Sequence, residues 1–204
     1  MERYEEILNY WFEDLDEDSI ISQDHPVVRK WFDMSLETDQ YIQDQFMSDY
    51  KEAIAGTYDH WIHDPRGRLA LIIIYDQFSR NLFRDSAKAF EADYKALELA
   101  LSSLKDGFDG RVNFIERIFY YMPLMHAENI EIQTISVETF EKFLNEAERY
   151  EDQNVAYFQV TLAYAKQHYD VIKQFKRFPH RNKALDRRST SDETAFIHAN
   201  QSFQ

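Results

Sequence analysis

The chain has 204 residues, 44% of them hydrophobic and 16% aromatic, which is ample for one closed core and excludes a disordered chain. With only 4 Gly and 4 Pro it lacks the many tight turns of an all-β sandwich, and with no cysteine it has no disulfide scaffold, thiolate nucleophile or Cys-ligated zinc. A net charge of −14 repels phosphate backbones and anionic lipid, so nucleic acid and membrane surfaces are not expected partners.

The residues Met1 to Glu6 are charged and lack the apolar stretch of a signal peptide. The longest apolar run, Leu69 to Tyr75, is far short of the roughly 20 residues of a membrane span. Both point to the cytoplasm. Tyr4, Ile7, Leu8 and Trp11 form one apolar face of a first helix, followed by an acidic loop over Glu13 to Asp18. Pro26 suits the first turn of a short helix carrying Val27, Val28, Trp31 and Phe32, with Asp24 near its start. A longer helix runs through Tyr41, Ile42, Phe46, Tyr50 and Ala53, with Thr38 as its cap and Gly56 past its end. Asp64-Pro65 opens another helix. The run from Leu69 reads as a central buried helix, because it continues unbroken into Asp76 to Arg80 and no partner strand exists.

Phe90 to Leu104 is amphipathic and closed by Gly107; Asn113 caps a helix through Phe119; Pro123 is expected to break or kink the chain. Ser136 to Tyr150 and Val155 to Phe175 are two further helices, a loop holds Phe178 to Asn182, and Thr190 to Glu193 is a capping box opening a last short helix. The reading is all-α: about eight helices in a single domain over 1–204, arranged as an array of antiparallel hairpins.

Charge is uneven. Residues 1–63 hold 16 acidic and 4 basic residues, whereas 176–188 hold six basic and one acidic. The basic segment reads either as pairing with the acidic helices or as a site for a small anion. Three phrases carry chemistry. In the first, Asp76, Arg80 and Arg84 share one helix face, with Asn81 beside them. Two arginines flanking so apolar a helix need carboxylates, helix-end carbonyls or an anion. In the second, His126 and Glu128 could serve as acid and base or as metal ligands, but side chains two apart on a helix diverge, so they converge only on irregular backbone. The third is the basic segment, with Arg177, His180, Arg181 and Asn182 around the rigid Pro179, and His168 on the preceding helix. Arginine in such a turn grips a carboxylate or phosphate, or ties the loop to helix C-termini. His60 and His63, at i and i+3, lack obvious further ligands, so no metal site and no cofactor is expected.

The phrases "DQFSRNLFR" (76–84), "MPLMHAENIEIQ" (122–133) and "RFPHRNKALDRRSTSDE" (177–193), with "ILNYWF" and "AIAGTYDHW", closely resemble a mainly bacterial family, domain of unknown function 924, over nearly the whole chain. The resemblance implies an all-α, tetratricopeptide-like right-handed fold and no established activity. Its motifs map onto Asp76, Gln77, Arg80, Asn81, Arg84, His126, Glu128, Gln133, His168, Arg177, His180, Arg181 and Asn182. Lys176 and Asp186 stand where the family usually has Gly, and Ala127 where it usually has Ser.

The expected function is a polar pocket binding a small anionic metabolite or a peptide carboxylate. Asp76, Arg80, Asn81, Arg84, His126, Glu128, His168, Arg177, His180, Arg181 and Asn182 supply the ligand contacts, and His126, Glu128 or His180 is the proton carrier if there is turnover. The alternatives are a non-enzymatic, tetratricopeptide-like scaffold for a protein partner and a metal-dependent hydrolase.

Overall fold

The apolar run from Leu69 folds as the middle of a helix with partners on every side. In the computed structural model, which describes residues 2–200, an α-helix over Pro65–Ile72 passes without a break into a π-helix over Ile73–Phe78 and an α-helical turn over Ser79–Leu82. This rod is α4. Asp64 caps it through the Gly67 N–H, and every residue from Gly67 to Ser79 is buried. A helix apolar all round must be covered all round. The covering elements are α1 (Arg3–Phe12), α3 (Leu36–Ile54), α5 (Asp93–Asp106) and α6 (Phe114–Met125). The remaining helices are α2 (Pro26–Phe32), α7 (Ile130–Arg149), α8 (Val155–Phe175) and α9 (Ser191–Ala199). Nine helices and no strand are present among the described residues, and none of the helices is long and apolar enough to cross a membrane.

The core is aromatic. Phe119 lies 4.8 Å from Trp31, 5.3 Å from Phe12 and 5.7 Å from Trp11 in edge-on contacts, while Phe78 of α4 packs against Trp11 and Phe46. The Trp31 indole donates to the Trp11 carbonyl at 2.7 Å, joining α2 to α1. Helices α7 and α8 pack along each other, joined by a short turn over 150–154.

Several boundaries differ from the sequence reading. Ser35, not Thr38, caps α3; Thr38 supplies the N–H that the Ser35 hydroxyl accepts. Phe90 closes a 3-10 turn, Ala87–Phe90, and α5 begins at Asp93. Helix α7 starts at Ile130 rather than Ser136, because Asn129 accepts from both Glu131 and Ile132. Pro123 does not break α6, which runs two residues beyond it. So close to the helix end, the missing N–H leaves only the last turn short of a bond.

Lys176, the C-cap of α8, and Asp186 both take positive φ, 63° and 51°. The loop therefore keeps the backbone that glycine favours, at a cost of about 1 kcal/mol for a left-handed non-glycine residue. Replacing both (Lys176→Gly, Asp186→Gly) is expected to raise unfolding stability by about 1 kcal/mol in urea titration, with an unchanged m-value.

Candidate functional site

The site begins with the π-turn. It widens the helix so that the Ser79 N–H reaches the Ile74 carbonyl five residues back. Side chains take up carbonyls in the widened turn: the Ser79 hydroxyl donates to Tyr75 O at 2.7 Å, and the Arg80 guanidinium to Asp76 O. The same turn buries the Asp76 carboxylate, which is 1% exposed. It accepts from Gln77 Nε2 at 2.5 Å, pairs with Arg80 at 3.3 Å and lies 2.7 Å from His126 Nδ1. Burial alone would push the Asp76 carboxyl up; Arg80 and His126 outweigh it and hold the group well below the usual carboxylate range. An ionised carboxylate only accepts, so His126 Nδ1 donates.

His126 ends α6 at a corner that Gln133 pins by donating to Met125 O at 2.7 Å and Ala127 O at 2.8 Å. Although the corner is not helical, which would allow the two to converge, His126 and Glu128 turn to two different elements. His126 turns to α4. Glu128 turns to the basic loop, accepting from the Phe178 N–H at 2.7 Å and pairing in fork fashion with Arg187 at 2.6 and 2.9 Å. Arg187 also donates to Phe178 O and Asn182 Oδ1, and Asn182 donates to Ser189.

That stitching fixes the 3-10 turn Pro179–Arg181 and aims Arg181 inward. Arg181 is 7% exposed and lies between the rings of Phe90 (4.6 Å) and Phe178 (4.7 Å). Its Nη1 donates to Asp93 Oδ2 at 3.2 Å, while its buried Nε has no hydrogen-bond partner among the described residues. The same Asp93 takes both Nη atoms of Arg80, at 3.1 and 3.2 Å. Burial, reinforced by the nearby Arg80 cation, lowers Arg181 to about 10. His126, His168, Phe178 and His180 follow one another with ring centres 6.2, 5.4 and 5.5 Å apart. His168 Nδ1 donates to Tyr164 O at 2.8 Å. Burial, with His126 and Arg181 adding positive charge nearby, brings His168 and His180 down to about 3, so both are neutral at pH 7.

Of the residues named from sequence, Asp76, Arg80, His126, His168, His180 and Arg181 come together. Asn81 and Arg84 do not: both bind the Asp39 carboxylate of α3, at 2.8 Å and at 2.6 and 2.7 Å. Arg177 is tied to Glu193 and the Arg188 carbonyl, and Glu128 and Asn182 hold the loop. The basic segment does pair within the chain, but with Asp93, Glu128 and Glu193 rather than with the acidic first third. Asp93, Phe90 and Arg187 were missed. Asp93 looks in sequence like an ordinary first-turn acid, and only the fold shows that it faces two guanidiniums. No group of three His, Asp or Glu side chains among the described residues is arranged to hold a metal ion, and His60 and His63 are exposed.

Residues 7–201 match a family described as "Bacterial protein of unknown function (DUF924)". A protein of unknown function from Agrobacterium tumefaciens has a similar solved structure, with a TM-score of 0.74 and 28% identity, covering 96% of this chain and 97% of that one. No curated protein matches.

A histidine held neutral by the fold destabilises it on protonation: its contribution is complete above the unfolded pKa near 6.5 and is lost as pH falls from there toward the folded value of about 3. The double variant His168→Gln, His180→Gln should therefore lose less stability than the wild type between pH 7 and 5, by on the order of 1–3 kcal/mol. Parallel urea titrations at the two pH values measure this, and equal losses refute it.

Proposed function

The chain belongs to the bacterial DUF924 family, and we propose that it binds a small oxyanion, a phosphate, sulfate or carboxylate group, at the Arg80–Arg181–histidine cluster. The observation that carries this reading is Arg181. A guanidinium has five donors; this one is almost fully buried between two aromatic rings, holds Asp93 through one nitrogen, and keeps an Nε–H with no partner among the described residues. A buried donor left unsatisfied costs about 1–3 kcal/mol, and an oxyanion lying in the guanidinium plane relieves that cost through a two-pronged contact. Arg80 adds a second cation through the shared Asp93, and the half-buried histidines add further donors and acceptors.

A tetratricopeptide-like scaffold is the second reading. Phe32, Met34 and Leu36 are 51%, 64% and 81% exposed at the α2–α3 turn, amid acidic residues, and would suit a basic, apolar peptide. It requires a stoichiometric protein partner that Leu36→Asp releases and Arg181→Lys does not.

Calorimetric titration with sodium sulfate, sodium phosphate and a short peptide with a free C-terminal carboxylate tests the first reading. Arg181→Lys keeps the charge but removes the planar fork, and should weaken binding at least about tenfold while unfolding stability changes by about 1 kcal/mol or less. Undiminished binding in Arg181→Lys refutes the assignment.

A further inference from the structure

Arginines in this chain grip carboxylates by one recurring geometry. Arg3 on Asp49, Arg66 on Glu5, Arg84 on Asp39 and Arg177 on Glu193 each present the side-on edge, with Nε on one carboxylate oxygen and Nη2 on the other, at 2.6 to 3.2 Å. The edge is flat and its two N–H bonds are parallel, so it matches the two oxygens of a planar carboxylate. In Arg181 that edge is left over. Asp93 is bound through Nη1, and the buried Nε has no hydrogen-bond partner among the described residues.

The carboxylates around Arg181 are already engaged. Asp76 holds Arg80, Gln77 and His126; Glu128 holds Arg187 and the Phe178 N–H; Asp93 holds Arg80 as well as Arg181 itself. A partner that completes the fork therefore comes from outside these elements. Its shape follows from what flanks the guanidinium, the rings of Phe90 and Phe178 with centres 4.6 and 4.7 Å from Cζ. A carboxylate lies in the guanidinium plane and needs no room above or below it. A sulfate or phosphate that offers two oxygens to the same edge holds its other two out of that plane. Charge points the same way. Asp93 sits on the adjacent Nη1, and a dianion sets twice the negative charge against it that a carboxylate does.

We propose that the oxyanion of this site is a carboxylate, held side-on by Nε and Nη2 of Arg181. The inference rests on the anion-binding reading above and narrows it from oxyanions in general to one class. A small carboxylic acid and the C-terminus of a peptide share this chemistry.

Calorimetric titration of the wild type at neutral pH and constant ionic strength, with sodium acetate, sodium methanesulfonate and sodium sulfate, tests it. Acetate and methanesulfonate share a methyl group and a single charge and differ in a planar against a tetrahedral head; sulfate adds the second charge. Acetate should bind at least about tenfold more tightly than either. Arg181→Lys keeps the charge without the fork and should bring the three within about threefold of one another. As a check independent of the variant's folding, the Nε–H signal of Arg181 in 15N-arginine-labelled wild type should move on adding acetate and stay in place with equal methanesulfonate. A short peptide that binds more tightly than acetate, and loses this as its C-terminal amide, puts the carboxylate on a chain end; acetate binding more tightly than the peptide puts it on a small acid; both support the class. Methanesulfonate or sulfate bound as tightly as acetate, or a preference for acetate that persists in Arg181→Lys, overturns the carboxylate assignment and leaves the anion reading standing. Binding of none of these anions overturns both.

Discussion

An ionised carboxylate in the middle of a helix that is otherwise apolar on every side constrains everything around it. Leaving the Asp76 group uncompensated would cost several kcal/mol, so the surrounding chain is arranged to keep it company. The π-turn opens the helix enough for Arg80 to reach back to both the carboxylate and the main-chain carbonyl of residue 76. A regular α-helix would spend that carbonyl on the next turn. The end of α6 stops at His126, whose ring supplies the remaining partner. A local departure from α-geometry thus accounts for the burial of the acid and for the direction in which Arg80 points.

From Asp76 an alternating line of charge runs outward through Arg80, Asp93 and Arg181, joining α4, α5 and the basic loop. Such a line is not by itself a gain in stability, since the desolvation of each group offsets much of the attraction. Removing one member, by contrast, strands its neighbours. Loss of the Asp93 carboxylate would leave two guanidiniums facing each other with no group between them. The residues proposed as ligand contacts therefore also hold the fold, and a substitution at Arg181 informs on binding only when it preserves the charge.

Much of the architecture was legible because the signals were local. Capping at Asp64, Asn113 and Thr190 depends on a few adjacent residues, and the burial of α4 follows from its composition alone. What escaped was long-range. The sequence shows Arg80 and Arg84 on one face, but not that Asp39, 45 residues before Arg84, draws Arg84 and Asn81 away. Nor does it show that two of the basic residues in the loop, Arg177 and Arg187, hold acids that fix the loop, leaving Arg181 as the one turned inward. The π-turn was invisible for another reason: the i, i+4 spacing of Asp76 and Arg80 is preserved while the backbone bonding beneath it changes.

The net charge of −14 and an anion site are compatible because of range. At physiological salt, exposed charges more than about 8 Å apart are largely screened, so the acidic first third of the chain would have little effect on an anion at the Arg181 guanidinium, which lies between Phe90 and Phe178. Contacts within a few ångströms decide, and there the Arg181 guanidinium keeps an Nε–H with no hydrogen-bond partner among the described residues. On the anion-binding reading, a polyanion would extend from the cluster onto the acidic surface and be repelled there, whereas a single phosphate or carboxylate group would stay within the reach of Arg181 and Arg80.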